Sequence, residues 1–201
     1  MRRKDFEVDD RQRIEELLAE TEYGVLSLIA DGEPYGLALN FVYFEEKIYF
    51  HGAKEGRKVE AMMTNPQASF LVVQPHSLIP SYFSNTRSAC PATQLYSSVH
   101  IFGDMSMIKE SIEKARILNA LMQKLQSEGG YDAINADNPI YTKMLEQTGL
   151  YVLTPKTMSL KIKVGQNLSE ERKRILIKKL RERNEDKDEM SAALVEEFMN
   201  S

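Results

Sequence analysis

Three stretches of strand-like alternation, separated by two-residue turns, constrain this chain more than any other feature. Gly24 to Ala30, Tyr35 to Phe44 and Lys47 to His51 read as strands, with Asp31-Gly32 and Glu45-Glu46 as the turns between them. Strands joined by such short turns pair antiparallel, so the centre of the fold is expected to be a meander. Ahead of it, Asp9 and Asp10 are placed to cap a helix with Ile14, Leu17 and Leu18 on one face. That helix is expected to end near Thr21 and to lid the sheet.

Beyond His51 the apolar period changes twice. A glycine-rich turn leads into a short helix running to about Thr64, stopped by Asn65-Pro66, and Ala68 to Val73 forms a further strand. Gln74 to Thr93, with Pro75, Pro80 and Pro91, reads as a long loop, and loops of that length inside a domain are often functional. Gln94 to Ile108 returns as a long strand, with Gly103-Asp104 suggesting a bend or bulge. Ser111 to Gln126 is amphipathic through Ile112, Ala115, Leu118, Leu121, Met122 and Leu125, and Gly129-Gly130 follows its end. Asn138-Pro139 opens a short helix to about Gln147, and Leu150 to Leu153 with Met158 to Val164 supplies the last strand, with Pro155 as a candidate break. The chain finishes with two helices, Ser169 to Arg183 and Met190 to Met199. The expected organisation is a domain over residues 1–165 and a helical extension over 166–201.

Composition excludes several functions. The chain has 201 residues, 26 Lys and Arg against 30 Asp and Glu, and a net charge of -4 with both signs interspersed, so no overall field draws it to nucleic acid or anionic lipid. The basic run Arg172-Lys173-Arg174 with Lys178-Lys179 falls on a helix whose other side carries Ile175, Leu176, Ile177 and Leu180, which makes it a solvated face. No apolar run approaches the roughly 20 residues that cross a bilayer, and the charged start Met1-Arg2-Arg3-Lys4-Asp5 precedes no signal core. A cytoplasmic protein is expected. Cys90 is the lone cysteine, and with three histidines it offers no metal-ligand spacing, so no metal site is expected. No Gly-x-Gly-x-x-Gly follows a strand, no Gly-x-Ser-x-Gly elbow occurs, and Val59 stands where a P-loop needs a hydroxyl. Methionines at Met62-Met63, Met105 and Met107 read as core or interface filler.

One segment does point to chemistry. Tyr49-Phe50-His51-Gly52-Ala53-Lys54-Glu55-Gly56-Arg57-Lys58 joins an apolar strand to a glycine-rich basic turn and a helix start. Glycines admit an anion close to the backbone, the first amides of a helix lack partners, and Arg57 and Lys58 add charge, which together make a seat for phosphate. A strand-to-helix connection with two solvated basic residues is the other reading of the same residues. A nucleotide held on an antiparallel sheet without the motifs above would leave the chemistry to the cofactor, with the protein orienting it.

The series Gly32-Glu33-Pro34-Tyr35, Leu39-Asn40-Phe41-Val42-Tyr43, Ile48 to Lys58, Asn65-Pro66 and Tyr96-Ser97-Ser98-Val99-His100-Ile101-Phe102-Gly103 resembles the pyridoxamine 5'-phosphate oxidase-like flavoproteins. It looks most like their nitroimidazole-resistance (Nim) branch, over residues 1 to about 165, and Ala89-Cys90-Pro91-Ala92-Thr93 also resembles a loop of that branch. The resemblance implies an α+β fold, an antiparallel Greek-key split β-barrel with peripheral helices and a C-terminal helix pair, and a homodimer with FMN in a groove between subunits. It further implies that Asn40, Phe41, Tyr49, Phe50, His51 and Gly52 border the flavin ring and that Arg57 and Lys58 hold its phosphate. Tyr96, Ser97 and Ser98 would reach the cofactor from the other subunit, Ser98 standing where the oxidases carry glutamine. His51 is the candidate catalytic residue, as proton donor or anion holder, or it merely hydrogen-bonds cofactor or backbone. His100 is expected to be structural, and His76 is a loop residue without a role.

The Arg-rich pattern that binds the second phosphate in the true oxidases is replaced by Ser97, Ser98 and His100, so pyridoxamine phosphate is not the expected substrate. The implied activity is an FMN-dependent oxidoreductase passing electrons from a donor such as NAD(P)H to a small acceptor of the nitroaromatic or quinone kind. A flavin carrier without turnover, a deazaflavin-binding protein and a haem-binding relative are the alternatives, the last disfavoured because no histidine follows His100.

Overall fold

The computed structural model describes residues 4–84 and 87–200; the start Met1-Arg2-Arg3 and two positions of the expected long loop, 85 and 86, lie outside the described residues. A 3-10 turn at Lys4–Phe6 is followed by β1 (Glu7–Val8), α1 (Arg11–Glu20), β2 (Tyr23–Ala30), β3 (Glu33–Asn40), β4 (Val42–Phe44), β5 (Lys47–Gly52) and α2 (Arg57–Thr64). Then come β6 (Gln67–Ile79), β7 (Thr93–Ile108), α3 (Ser111–Leu125), α4 (Pro139–Gln147), β8 (Gly149–Lys163), α5 (Glu170–Arg183) and α6 (Asp188–Asn200). The hydrogen-bonded order is β3-β2-β6-β7-β8-β5-β4, with β1 added on β8. Two compact units divide the chain: one contains Arg11–Val72 and Val99–Met158, the other residues 1–10, 73–98 and 159–201. No described helix is long and apolar enough to cross a membrane.

The first unit is the meander with its helices. Residues Tyr23 to Ala30 pair antiparallel with Asn40 to Glu33 through the Asp31-Gly32 turn, whose φ values of 56° and 78° are those of a type I′ hairpin. Glu45 and Glu46 take the same conformation at 47° and 63°, although neither is glycine. Each is held by an arginine: Arg116 Nη1 lies 2.5 Å from Glu45 and Arg11 Nη2 2.6 Å from Glu46. The expected strand from Tyr35 to Phe44 is two strands. β3 pairs with β2, β4 pairs with β5, and Phe41 stands at the change of partner with its side chain fully buried. A buried aromatic at that point turns the chain from one pairing to the other.

Two more expectations are corrected in this unit. Gly103 does not break β7, which runs unbroken for 16 residues. A Cβ there would lie 2.1 Å from the carbonyl oxygen of Thr154, so glycine is present for a close backbone approach. Pro155 likewise leaves β8 continuous over 15 residues. Helix α3 buries Ala115, Ile117, Leu118 and Leu121, whereas Ile112 is 79% and Leu125 42% exposed. On the same buried face Lys114 donates from Nζ to the carbonyls of Leu145 and Thr148 at 2.8 Å each and so occupies the open end of α4. Around it Val42, Tyr49, Leu145, Leu150 and Val152 complete one core.

In the second unit the expected loop from Gln74 is a strand as far as Ile79, and the chain turns only at Pro80. Buried His76, Ser77 and Ile79 carry the strand past exposed Pro75, whose carbonyl accepts from Lys187 Nζ at 2.9 Å. Ser169 caps α5, accepting from the Arg172 amide at 3.4 Å, and α5 packs on α6. Leu176, Ile177 and Leu180 are buried as expected, and Ile175 is 37% exposed. Helix α6 starts two residues earlier than expected, at Asp188, which is 1% exposed.

Candidate functional site

The head of α2 is built by three neighbours. β5 carries Tyr49, Phe50, His51 and Gly52 toward it, pairing His51 opposite Leu150 and Gly52 opposite Gly149. Gly56 stands at the N-cap with φ 98°, a conformation that favours glycine, and offers no capping side chain to the first helical amides. The hydroxyl of Tyr151 donates to the carbonyl of Ala53 and so ties the turn to β8.

Lys58 is the centre of this arrangement. Its Nζ lies 4.0 Å from the centroid of the Tyr151 ring and 5.7 Å from that of Phe50, and the two rings stack 5.6 Å apart at 20°. A Cβ on Gly52 would come within 2.5 Å of that ammonium, so a larger residue there would push the Lys58 head aside. No carboxylate lies within ion-pair distance of Lys58 among the described residues, and burial pushes its pKa below the usual lysine value. An ammonium desolvated on aromatic faces, with no carboxylate beside it among the described residues, is chemically able to accept an anion. Arg57 is exposed instead, with Nε 3.6 Å from Asp31, Nη2 3.8 Å from Glu33 and its guanidinium 4.8 Å above the Tyr35 ring. Such long surface pairs are weak and leave the guanidinium free to turn.

The other expected site residues are divided. Asn40 is exposed and donates from Nδ2 to the Glu22 carbonyl at 3.0 Å; His51 is exposed. Phe41, Tyr49 and Phe50 point into the core, Phe41 meeting Phe70 edge-on at 5.0 Å. Tyr96, Ser97 and Ser98 lie in the second unit, where Lys161 Nζ donates to the Tyr96 hydroxyl and Ser97 Oγ sits 2.8 Å from His76 Nε2. His76 is therefore not a loop residue: it is a buried strand residue, 4% exposed, whose Nδ1 has no partner. His100 is exposed on β7.

Sequence reasoning missed Tyr151, which lies about a hundred positions from Lys58 and carries no local mark, and Lys124. The Lys124 ammonium stands 3.7 Å above the Phe41 ring and donates to the Leu18 carbonyl at 2.8 Å, and burial pulls its pKa down to about 8. Its helical position beside apolar neighbours was the one available signal.

The profile described as pyridoxamine 5'-phosphate oxidase matches residues 10–162, three quarters of the chain. This chain belongs to the pyridoxamine 5'-phosphate oxidase family. Its match spans both halves of the first unit, including Lys58. No curated protein matches it in sequence. Among solved structures it is similar to a protein of Bacteroides thetaiotaomicron assigned to 5-nitroimidazole antibiotic resistance, with 20% identity over 78% of this chain and 86% of that one and a TM-score of 0.63. It is also similar to an FAD and heme binding protein of Mycobacterium smegmatis, with 21% identity over 79% and 74% of the chains and a TM-score of 0.67. The flavocytochrome Anf3 of Azotobacter vinelandii gives 20% identity over 80% and 70% and a TM-score of 0.65. At these identities the likeness establishes the fold: an α+β split β-barrel of the pyridoxamine 5'-phosphate oxidase family with peripheral helices.

Proposed function

We propose that this member of the family is a homodimeric, cytoplasmic FMN-dependent oxidoreductase that passes electrons from a reduced donor such as NAD(P)H to a small nitroaromatic or quinone-like acceptor. Lys58 carries the proposal, because a half-buried ammonium without a carboxylate fits the phosphate that a flavin nucleotide brings. The free amides at the head of α2 and a turned Arg57 complete the phosphate seat. Exposed Asn40 and His51 border the ring, and His51 donates a proton to the reduced acceptor or holds an anionic one. FMN, when bound, supplies hydride acceptance and onward electron transfer; the chain positions it and excludes water from it. Tyr96, Ser97 and Ser98 are assigned to the ring bound mainly by the partner subunit. Support for a second copy comes from the apolar outer face of β2 and β6, where Val25 (38% exposed) pairs with Leu71 (38% exposed) and Tyr23 and Ile29 are 59% and 48% exposed.

An absorption spectrum of the purified protein, with mass spectrometry of the molecule released by heat, tests this reading. A two-band flavin spectrum with FMN released is expected, as is weaker FMN binding by about 10- to 100-fold in Lys58→Gln, the effect of losing one charge-assisted hydrogen bond. A colourless protein that also fails to take up added FMN refutes it. Flavin retention without oxidation of any donor would make the protein a carrier.

A further inference from the structure

Outside the proposed flavin site, the second unit contains a cavity of about 700 Å³. None of the residues assigned to FMN lines it. Interiors pack closely and hold few voids larger than a water molecule, whereas small-molecule sites fall in the range of roughly 300–1,000 Å³. This volume belongs with the sites. One side of its wall is apolar, made by Ile79, Phe83, Leu95, Leu176 and half-exposed Ile175, and Lys163 is its partly buried cation. The Lys163 ammonium donates to the Thr93 hydroxyl and, at 3.2 Å, to the Gln94 carbonyl. Both are neutral acceptors and its third neighbour is the Tyr96 ring, 5.7 Å from the ammonium, so no carboxylate among the described residues balances its charge. Arg172 and Glu171 also line it, and both are exposed.

We propose that this cavity binds an amphipathic carboxylic acid, its apolar body against Phe83, Leu95 and Leu176 and its carboxylate on Lys163 Nζ. Ser84, Asn167, Ser169 and Arg172 also line the cavity, but Arg172 is exposed, and a single partly buried cation suits one carboxylate better than a dianionic phosphate ester. A neutral apolar ligand would leave the ammonium uncompensated. Cys90 also lines the cavity, is exposed, and is the chain's single cysteine, so its thiol reports occupancy.

The test titrates the full-length protein with dodecanoate, dodecanol and 1-naphthoate, reading heat by calorimetry and the rate of Cys90 reaction with a coloured aromatic disulfide. One acid is expected to saturate at one molecule per chain, to slow Cys90 labelling severalfold and, for the C12 pair, to bind about tenfold tighter than the alcohol; whether chain or ring acid wins identifies the body. Lys163→Gln should erase the preference for acid over alcohol, and Ile175→Trp, which fills the cavity from a half-exposed position, should abolish binding. Equal binding of acid and alcohol overturns the proposal, as does binding unchanged by Ile175→Trp or no saturation by either acid. The acid-to-alcohol comparison uses the unmodified chain and stands even if a variant fails to fold.

Discussion

Acid sensitivity of the C-terminal helices is predicted from one buried carboxylate. Asp188 Oδ1 accepts from Arg183 Nη2 and from Ser77 Oγ, both at 2.6 Å, while Oδ2 accepts from Arg183 Nε at 2.8 Å and from the Glu185 amide at 2.9 Å. Arg183 also donates to the Leu78 carbonyl at 2.9 Å, and Ser191 Oγ accepts from the Ser77 amide at 3.0 Å, so the cluster ties the start of α6 to β6. Four donors on a carboxylate hold its pKa at about 2, below the ordinary 3.8, with the Arg183 hydrogen bonds as the largest cause. That depression corresponds to about 2 kcal/mol of stability. Because the folded pKa is the lower one, this stability is present above pH 3.8 and is lost as pH falls through about 2. Asp188→Asn keeps the shape, loses the charge and sets an amide N–H against donors, so at pH 7 it should cost about 3 kcal/mol, the lower end for breaking a buried pair. Urea unfolding followed by circular dichroism at pH 7, 5 and 3, together with carboxyl-carbon NMR titration, measures both quantities. A gap between the two proteins that does not narrow in acid, with an Asp188 carboxyl titrating near 4, would refute the reasoning.

Three further outcomes are expected. Gly103→Ala places a methyl group where the Thr154 carbonyl stands, so β7 and β8 must separate locally; the thermal midpoint should fall by well over 5 °C, and an unchanged midpoint would show that the strands are not in contact. Ile117→Ala should cost about 2–5 kcal/mol and Ile112→Ala under about 0.5, a contrast in urea denaturation that reads the phase of α3 directly. His76, buried beside Ser97 and near Lys187, has its pKa lowered, so it should stay neutral below pH 6.5 and stability should decline as pH falls beneath that value. His76→Gln should flatten the decline, and imidazole NMR showing titration at or above 6.5 would contradict it.

Much of the fold could be read from residues close together in the chain. The hairpin turn at Asp31-Gly32, the helix stop at Asn65-Pro66, the caps at Asn138 and Ser169 and the glycine-rich approach to α2 are local devices, set by backbone preferences and the nearest hydrogen bonds. For the same reason Arg57 and Lys58 stood out as basic residues at a helix start.

What the sequence by itself determined is thus the sheet-with-helices character, the order of the elements and the place of the basic pair at the head of α2. Only the tertiary structure decided that β6 runs past Pro75, that Gly103 is a contact rather than a bend, and that α3 buries Ile117 instead of Ile112. It also decided that Lys58 rests on Tyr151 with no carboxylate in ion-pair reach among the described residues, and that His76 meets Ser97. Each of these depends on a partner in another element, often far along the chain. Periodicity reports that a residue will be buried on a face, but the burial energy and the desolvation of a charge are set by what that face meets.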